Sequence, residues 1–171
     1  QNLQNQYGAF VVNAQGSESQ HVIENELIRL TFTNKGGKIL SAIIKNHYQF
    51  VTKEDGEEVR VPVRLMEDDR NRFEYILKLN DRNISTEDLY FTPRVQGNKI
   101  TFLAKTNTGG SIEQIYELKE DSYEIGYRLN LNGLQTQLDR SDDNIQLRWI
   151  NIIDAIEKNV MFEKRYSTVY Y

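Results

Sequence analysis

From Ile28 the chain alternates: Ile28, Leu30 and Phe32 are apolar, while Arg29, Thr31 and Thr33 between them are polar. Alternation at period 2 puts the two sets on opposite sides of a pleated strand, so residues 28–33 predict a half-buried β-strand. Asn34-Lys35-Gly36-Gly37 comes next, followed by Lys38-Ile-Leu-Ser-Ala-Ile-Ile-Lys45. Adjacent glycines reach positive φ without a Cβ clash, which predicts a sharp reversal and an antiparallel hairpin over Glu26–Lys45.

The pattern recurs. Val59, Val61, Val63 and Leu65 alternate with charged residues or Pro62, and a proline in such a run marks an edge strand or a strand end. Phe73, Tyr75, Leu77 and Leu79 form another run, then Leu89–Thr92, then Ile100, Phe102 and Ala104. A second hairpin spans Ser111–Leu131. Ile112, Gln114, Tyr116 and Leu118 share one face, and Lys119-Glu-Asp-Ser makes the turn. Tyr123, Ile125, Tyr127, Leu129 and Leu131 share a face on the return strand. Asn132-Gly133 signals a turn, residues 134–144 are a polar excursion, and Ile145, Leu147 and Trp149 open a further strand. Ile150, Ile153, Ile156 and Val160 have helical spacing, which allows one short helix within Ile150–Lys164 before Tyr166, Thr168 and Tyr170 alternate again. Strands at this spacing, separated by turn residues, predict an all-β antiparallel sandwich or barrel over residues 21–171. Residues 1–20 are Gln- and Asn-rich, with a brief apolar patch at Ala9–Val12 and Gly16 beyond it, and read as a connecting arm.

Composition narrows the functional classes. The 171 residues suit one domain with a substantial core, and 39% hydrophobic residues with ten tyrosines argue against disorder. A net charge of −4 supplies no electrostatic reason to expect nucleic acid or anionic lipid headgroups. There is no cysteine, hence no disulfide, thiolate nucleophile or Cys-based zinc site. No apolar run approaches the roughly 20 residues that span a bilayer. The first residue is Gln rather than Met, so the sequence reads as a piece of a longer protein whose signal or membrane segments lie outside it.

No motif in the sequence argues for catalysis. The two histidines, His21 and His47, have no His, Asp or Glu nearby at metal-ligand spacing and read as loop histidines. Glu54–Glu58, Glu67–Asp69 and Glu120-Asp121 lie between strands, where charge keeps turns solvated. Asp139–Asn144 lacks the central glycine and terminal glutamate of a helix–loop–helix calcium loop. Neither Asn34-Lys-Gly-Gly nor Thr108-Gly-Gly-Ser precedes a helix that could hold phosphate, and Asn83-Ile-Ser85 is an isolated glycosylation sequon. The sequence therefore assigns no catalytic, cofactor-binding or metal-binding residue.

Three stretches in register carry a family resemblance: Glu26–Ile39, Ile112–Ile125, and Trp149 followed by Phe162-Glu-Lys-Arg-Tyr-Ser-Thr-Val-Tyr-Tyr171. Together they resemble the large periplasmic domain of the YidC/Oxa1/Alb3 family of membrane protein insertases. Thr86–Pro93 and Asn132-Gly-Leu134 are similar to the version found in one branch of Gram-negative bacteria. The resemblance implies a β-supersandwich of the galactose-mutarotase type on the periplasmic side of the inner membrane. It would follow a transmembrane helix, with residues 1–20 as the arm and 21–171 as the amino-terminal part of the full domain. It further implies a non-enzymatic module without cofactor that contacts the SecD/SecF part of the secretion machinery and membrane protein substrates, with room for a peptide or ligand in a concave cleft. Two other readings fit an all-β chain of this kind. A mutarotase-like sugar epimerase would need Glu and His converging in that cleft, and a carbohydrate-binding sandwich would stack sugars on Trp149 or on exposed tyrosines.

Overall fold

The computed structural model describes residues 2–66, 70–138, 145–152, 161 and 165. The described residues form three antiparallel sheets. The first has the order β1 (Gln20–Glu24), β2 (Ile28–Thr33), β3 (Lys38–Thr52), β4 (Glu58–Leu65). In the second, β10 (Ile125–Asn132), β9 (Ser111–Leu118), β8 (Lys99–Lys105) and β7 (Thr92–Gln96) lie side by side. The third holds β11 (Ile145–Ile150), β5 (Arg72–Leu79) and β6 (Arg82–Ser85). The all-β antiparallel class read from the alternation is the class observed.

Both hairpins form where expected. In the first, Gly36 (φ 79°) and Gly37 (φ 61°) occupy the left-handed region, and β2 pairs with β3 from Thr33↔Lys38 outward. In the second, Tyr116 lies opposite Tyr127, and Leu118 opposite Ile125. Pro62 lies on β4, an edge of the first sheet, beside a register shift between Ile44 and Tyr48. That is where a residue without an N–H is tolerated.

Two boundaries differ from expectation. Tyr123 belongs to the turn before β10, a turn in which Asp121 takes φ 48°. The run Leu89–Thr92 contributes only Thr92 to a strand. Leu89 and Phe91 are buried beyond the short 3₁₀ helix Thr86–Asp88, because the Phe91 N–H donates to the Asn34 carbonyl at 2.9 Å and draws this segment inward. The turn at 67–69, the loop 139–144, positions 153–160 and 162–164 of the helical stripe, and the alternation at 166–171 lie outside the described residues.

Alternation becomes packing where the first two sheets meet face to face. Leu30 and Phe32 from β2, Ile100 and Phe102 from β8, and Ile112 and Leu118 from β9 are all fully buried. The Phe32 ring lies 5.9 Å from Phe102 and 5.0 Å from Tyr116. Each such side chain contributes about 1.5–3 kcal/mol through burial. Polar side chains tie the ends of the sandwich. The Asn25 amide donates to the carbonyls of Lys119 and Ser122 at 2.7 and 2.8 Å, joining the β1–β2 turn to the β9–β10 turn.

The apolar patch of the amino-terminal segment is the part that packs. Helix α1 (Asn2–Tyr7) runs into a 3₁₀ helix at Gly8–Asn13, and Phe10 from the latter is fully buried in the core. Hydrogen bonds hold the segment at several points: Asn107 N–H to the Ala9 carbonyl at 3.0 Å, Tyr90 N–H to the Asn13 carbonyl at 2.8 Å, and Arg82 Nε to the Asn5 carbonyl at 2.8 Å.

Candidate functional site

One face of the third sheet is left partly open to solvent. On β5, Phe73, Tyr75, Leu77 and Leu79 share one side, as their period-2 spacing requires. The register sets Ile145 of β11 opposite Leu77, Leu147 opposite Tyr75, and Trp149 opposite Phe73. Burial falls away along this row. Leu77 is completely covered, whereas Leu147 and Trp149 are 49% and 65% exposed. The second sheet supplies the facing wall through Tyr127, on its edge strand β10.

The rings form a continuous series from solvent to core. Phe73 meets Trp149 at 6.0 Å and Tyr127 at 5.4 Å, both edge to face. Tyr127 then touches Tyr116 at 4.9 Å, and Tyr116 touches Phe32. Edge-to-face pairs of this kind add about 0.5–1.5 kcal/mol each beyond area burial. Burial pushes the phenols of Tyr116 and Tyr127 well above the usual tyrosine range; neighbouring tyrosines push in the same direction, so both are neutral donors. Their hydroxyls are used inward: Tyr116 donates to the Gly37 carbonyl at 2.8 Å and Tyr127 to Gln114 Oε1 at 3.0 Å.

Behind this face, Glu74 anchors β11. It is nearly buried, accepts a hydrogen bond from Ser85 Oγ, and is paired with Arg148 Nη1 at 2.8 Å across the β5–β11 register. Beyond Arg148, the outer edge of β11 pairs with no described strand. An exposed apolar edge strand is a template for another chain.

A second cleft, about 420 Å³ in volume, has charged walls that include Lys35, Lys38, Arg72, Glu18, Glu87 and Asp88. Glu87 Oε1 accepts from Lys38 Nζ and from Arg72 Nη1, each at 2.7 Å. Burial alone would raise the Glu87 carboxyl, but the hydrogen bonds and charges of Lys38 and Arg72 outweigh it and hold the group below the usual carboxylate range. A carboxyl depressed in the folded state contributes stability that is present above its unfolded value, near pH 4.5, and is lost as pH falls through the folded value. The stability gap between the native chain and Glu87→Gln should therefore be full at pH 7 and close progressively below about pH 4.5. Urea denaturation midpoints across that range would check this.

The histidines do not converge on acids among the described residues. His21 shares a hydrogen bond with Ser19 Oγ at 3.0 Å and turns its ring edge toward Phe102, and His47 packs against Tyr123. No group of three His, Asp or Glu side chains among the described residues is placed to hold a metal ion. Trp149 is exposed, but it stands at 88° to Phe73, and the two nearly parallel rings, Tyr75 and Tyr127, are both partly covered. The face therefore does not present one flat strip to a sugar.

A family model described as the YidC periplasmic domain matches residues 20–167. Among curated proteins the chain is similar to membrane protein insertases YidC. It is 32% identical to that of Parabacteroides distasonis, covering 100% of the chain and 26% of the relative. The Phocaeicola vulgatus protein is 31% identical, with 92% and 24% covered, and the Chlorobium phaeovibrioides protein is 30% identical, with 90% and 27% covered. The chain thus spans about a quarter of the length of these relatives. No solved structure matches it. No helix among the described residues is long and apolar enough to cross a membrane. With a family match running from β1 to beyond β11, this chain belongs to the YidC periplasmic domain family.

Proposed function

We propose that this domain is a non-catalytic contact module of a membrane protein insertase, and that its open aromatic face and the outer edge of β11, unpaired among the described strands, receive segments of other proteins. The observation that carries the reading is the exposed row Ile145, Leu147 and Trp149 on a strand whose outer edge pairs with no described strand. A monomeric globular domain ordinarily covers such a row. Main-chain hydrogen bonds to the β11 edge would supply affinity, and the aromatic face would select apolar side chains. The segments would come from membrane proteins undergoing insertion, or from the SecD/SecF part of the secretion machinery.

Photo-crosslinking in the full-length insertase tests this. Benzoylphenylalanine in place of Leu147 should capture an inserting membrane protein or SecD/SecF, while the same probe at Arg128, exposed on β10, should capture several-fold less. Equal capture at both positions, or adducts at 147 only within the insertase's own chain, would overturn the reading.

A further inference from the structure

We propose a second binding site, at the other end of β5 from Trp149, for an extended peptide that carries a carboxylate. The site is a cup of about 460 Å³ where α1 and the 3₁₀ helix Gly8–Asn13 cross the β5–β6 turn. That volume lies within the range of small-ligand sites. Its walls include the carboxamides of Gln4, Asn5, Asn80, Asn107 and Gln137 and the guanidinium of Arg82, with no acidic side chain among the described residues that line it.

The chemistry of these walls points to peptide backbone. A carboxamide offers the same donor and acceptor pair as a peptide group, so a ring of them can match an extended main chain without reading its sequence. The side chains of Asn5, Asn80 and Asn107 are exposed and make no hydrogen bond to another described residue, so a ligand can replace water at each. Gln4 Nε2 donates to the Gly8 carbonyl at 3.1 Å and Gln137 Nε2 to Thr108 Oγ1 at 3.2 Å, so each is oriented and keeps its amide oxygen open. Arg82 spends Nε on the Asn5 carbonyl at 2.8 Å and forms no ion pair with a described carboxylate. Its terminal nitrogens remain for a carboxylate, which guanidinium binds in bidentate fashion. Sugar fits less well, because no aromatic ring is among the described residues that line the cup itself, and saccharide sites ordinarily offer one for stacking.

The backbone of the cup is fixed by a hairpin turn. Asn80 (φ 47°) and Asp81 (φ 62°) both hold left-handed backbone to make the tight β5–β6 turn, and the Asn80 N–H is fixed to the Gln137 carbonyl at 3.0 Å. A narrow crevice lined by Phe10, Leu79 and Ile84 continues below it.

The test is an NMR titration of the 171-residue chain, read on the side-chain amide signals of Asn5, Asn80, Asn107 and Gln137. The probes are acetyl-Gly-Ser-Gly-Ser-Gly-Ala with a free carboxyl terminus, its amide-capped twin, and sodium glucuronate. The acid peptide should shift those signals saturably, and capping it or making Arg82→Gln should weaken binding about tenfold. Because Arg82 also holds α1, Asn107→Ala is the second variant. It deletes one carboxamide and keeps the Asn107 N–H bond to Ala9. It should weaken the acid peptide several-fold with backbone signals elsewhere unchanged. Absence of shifts, equal binding of acid and capped peptides, or shifts caused by glucuronate and not by peptide would each overturn the proposal.

Discussion

Gly37→Ala should destabilise the domain by about 2–5 kcal/mol, whereas Gly56→Ala should cost no more than about 1–2 kcal/mol, although both glycines have positive φ. The backbone strain is shared, with φ at 61° and 85° respectively. The surroundings are not. A Cβ on Gly37 would lie 2.7 Å from Gln114 Nε2 and 3.1 Å from Phe102 Cβ, while one on Gly56 would meet nothing within 4 Å. Gln114 cannot retreat freely, because it is buried and its two amide functions are committed to the Gly36 carbonyl at 2.8 Å and the Tyr127 hydroxyl at 3.0 Å. Displacing it would strand buried polar atoms, which costs about 1–3 kcal/mol beyond the strain. Urea denaturation of the two variants separates clash from strain, and similar midpoints would refute the packing account.

That contrast marks what alternation could and could not disclose. The Gly36-Gly37 turn was legible from residue type, and the run Ile112–Leu131 gave the faces of β9 and β10, but not their register: a turn confined to Lys119–Ser122 would set Leu118 opposite Tyr123, whereas it lies opposite Ile125. What the turn packs against was not, because Gln114 is 78 positions from the Gly36 carbonyl it caps. A polar residue in an apolar series gives no sign of its partner. The candidate site shows the same division. Phe73 and Tyr75 announce a shared face through spacing, as do Leu147 and Trp149, but the pairing that puts the two runs side by side does not show in it. Period 2 says which side a residue faces and nothing about whether that side is covered, so Trp149 at 65% exposure and Phe102 at full burial look alike in sequence. The Glu74–Arg148 pair, separated by 74 positions, and the amide cup, assembled from four segments of chain, leave no local pattern at all.

The amino-terminal segment yields the last large effect. Phe10→Ala removes a fully buried ring from a segment whose other residues are mostly exposed or half-buried, and aromatic truncations of this kind cost about 3–5 kcal/mol. The six-residue helix α1 is too short to persist alone, since isolated helices below about 12 residues are marginal in water. Its order therefore derives from the Phe10 anchor and from the bonds that Asn107, Tyr90 and Arg82 make to the segment. Those bonds are too few to hold residues 2–13 once the ring is gone, whereas the sheets retain their own Phe32–Phe102–Tyr116 core. The variant should consequently lose the segment before it loses the sandwich. Proteolysis near residues 8–13 should accelerate by two orders of magnitude or more, while the near-ultraviolet signal of the aromatic core persists. Because Gln4 and Asn5 travel with the segment, the same variant should abolish peptide binding at the cup and leave crosslinking at position 147 intact. Simultaneous loss of the segment and the sheets would instead show that Phe10 is a keystone of the whole core.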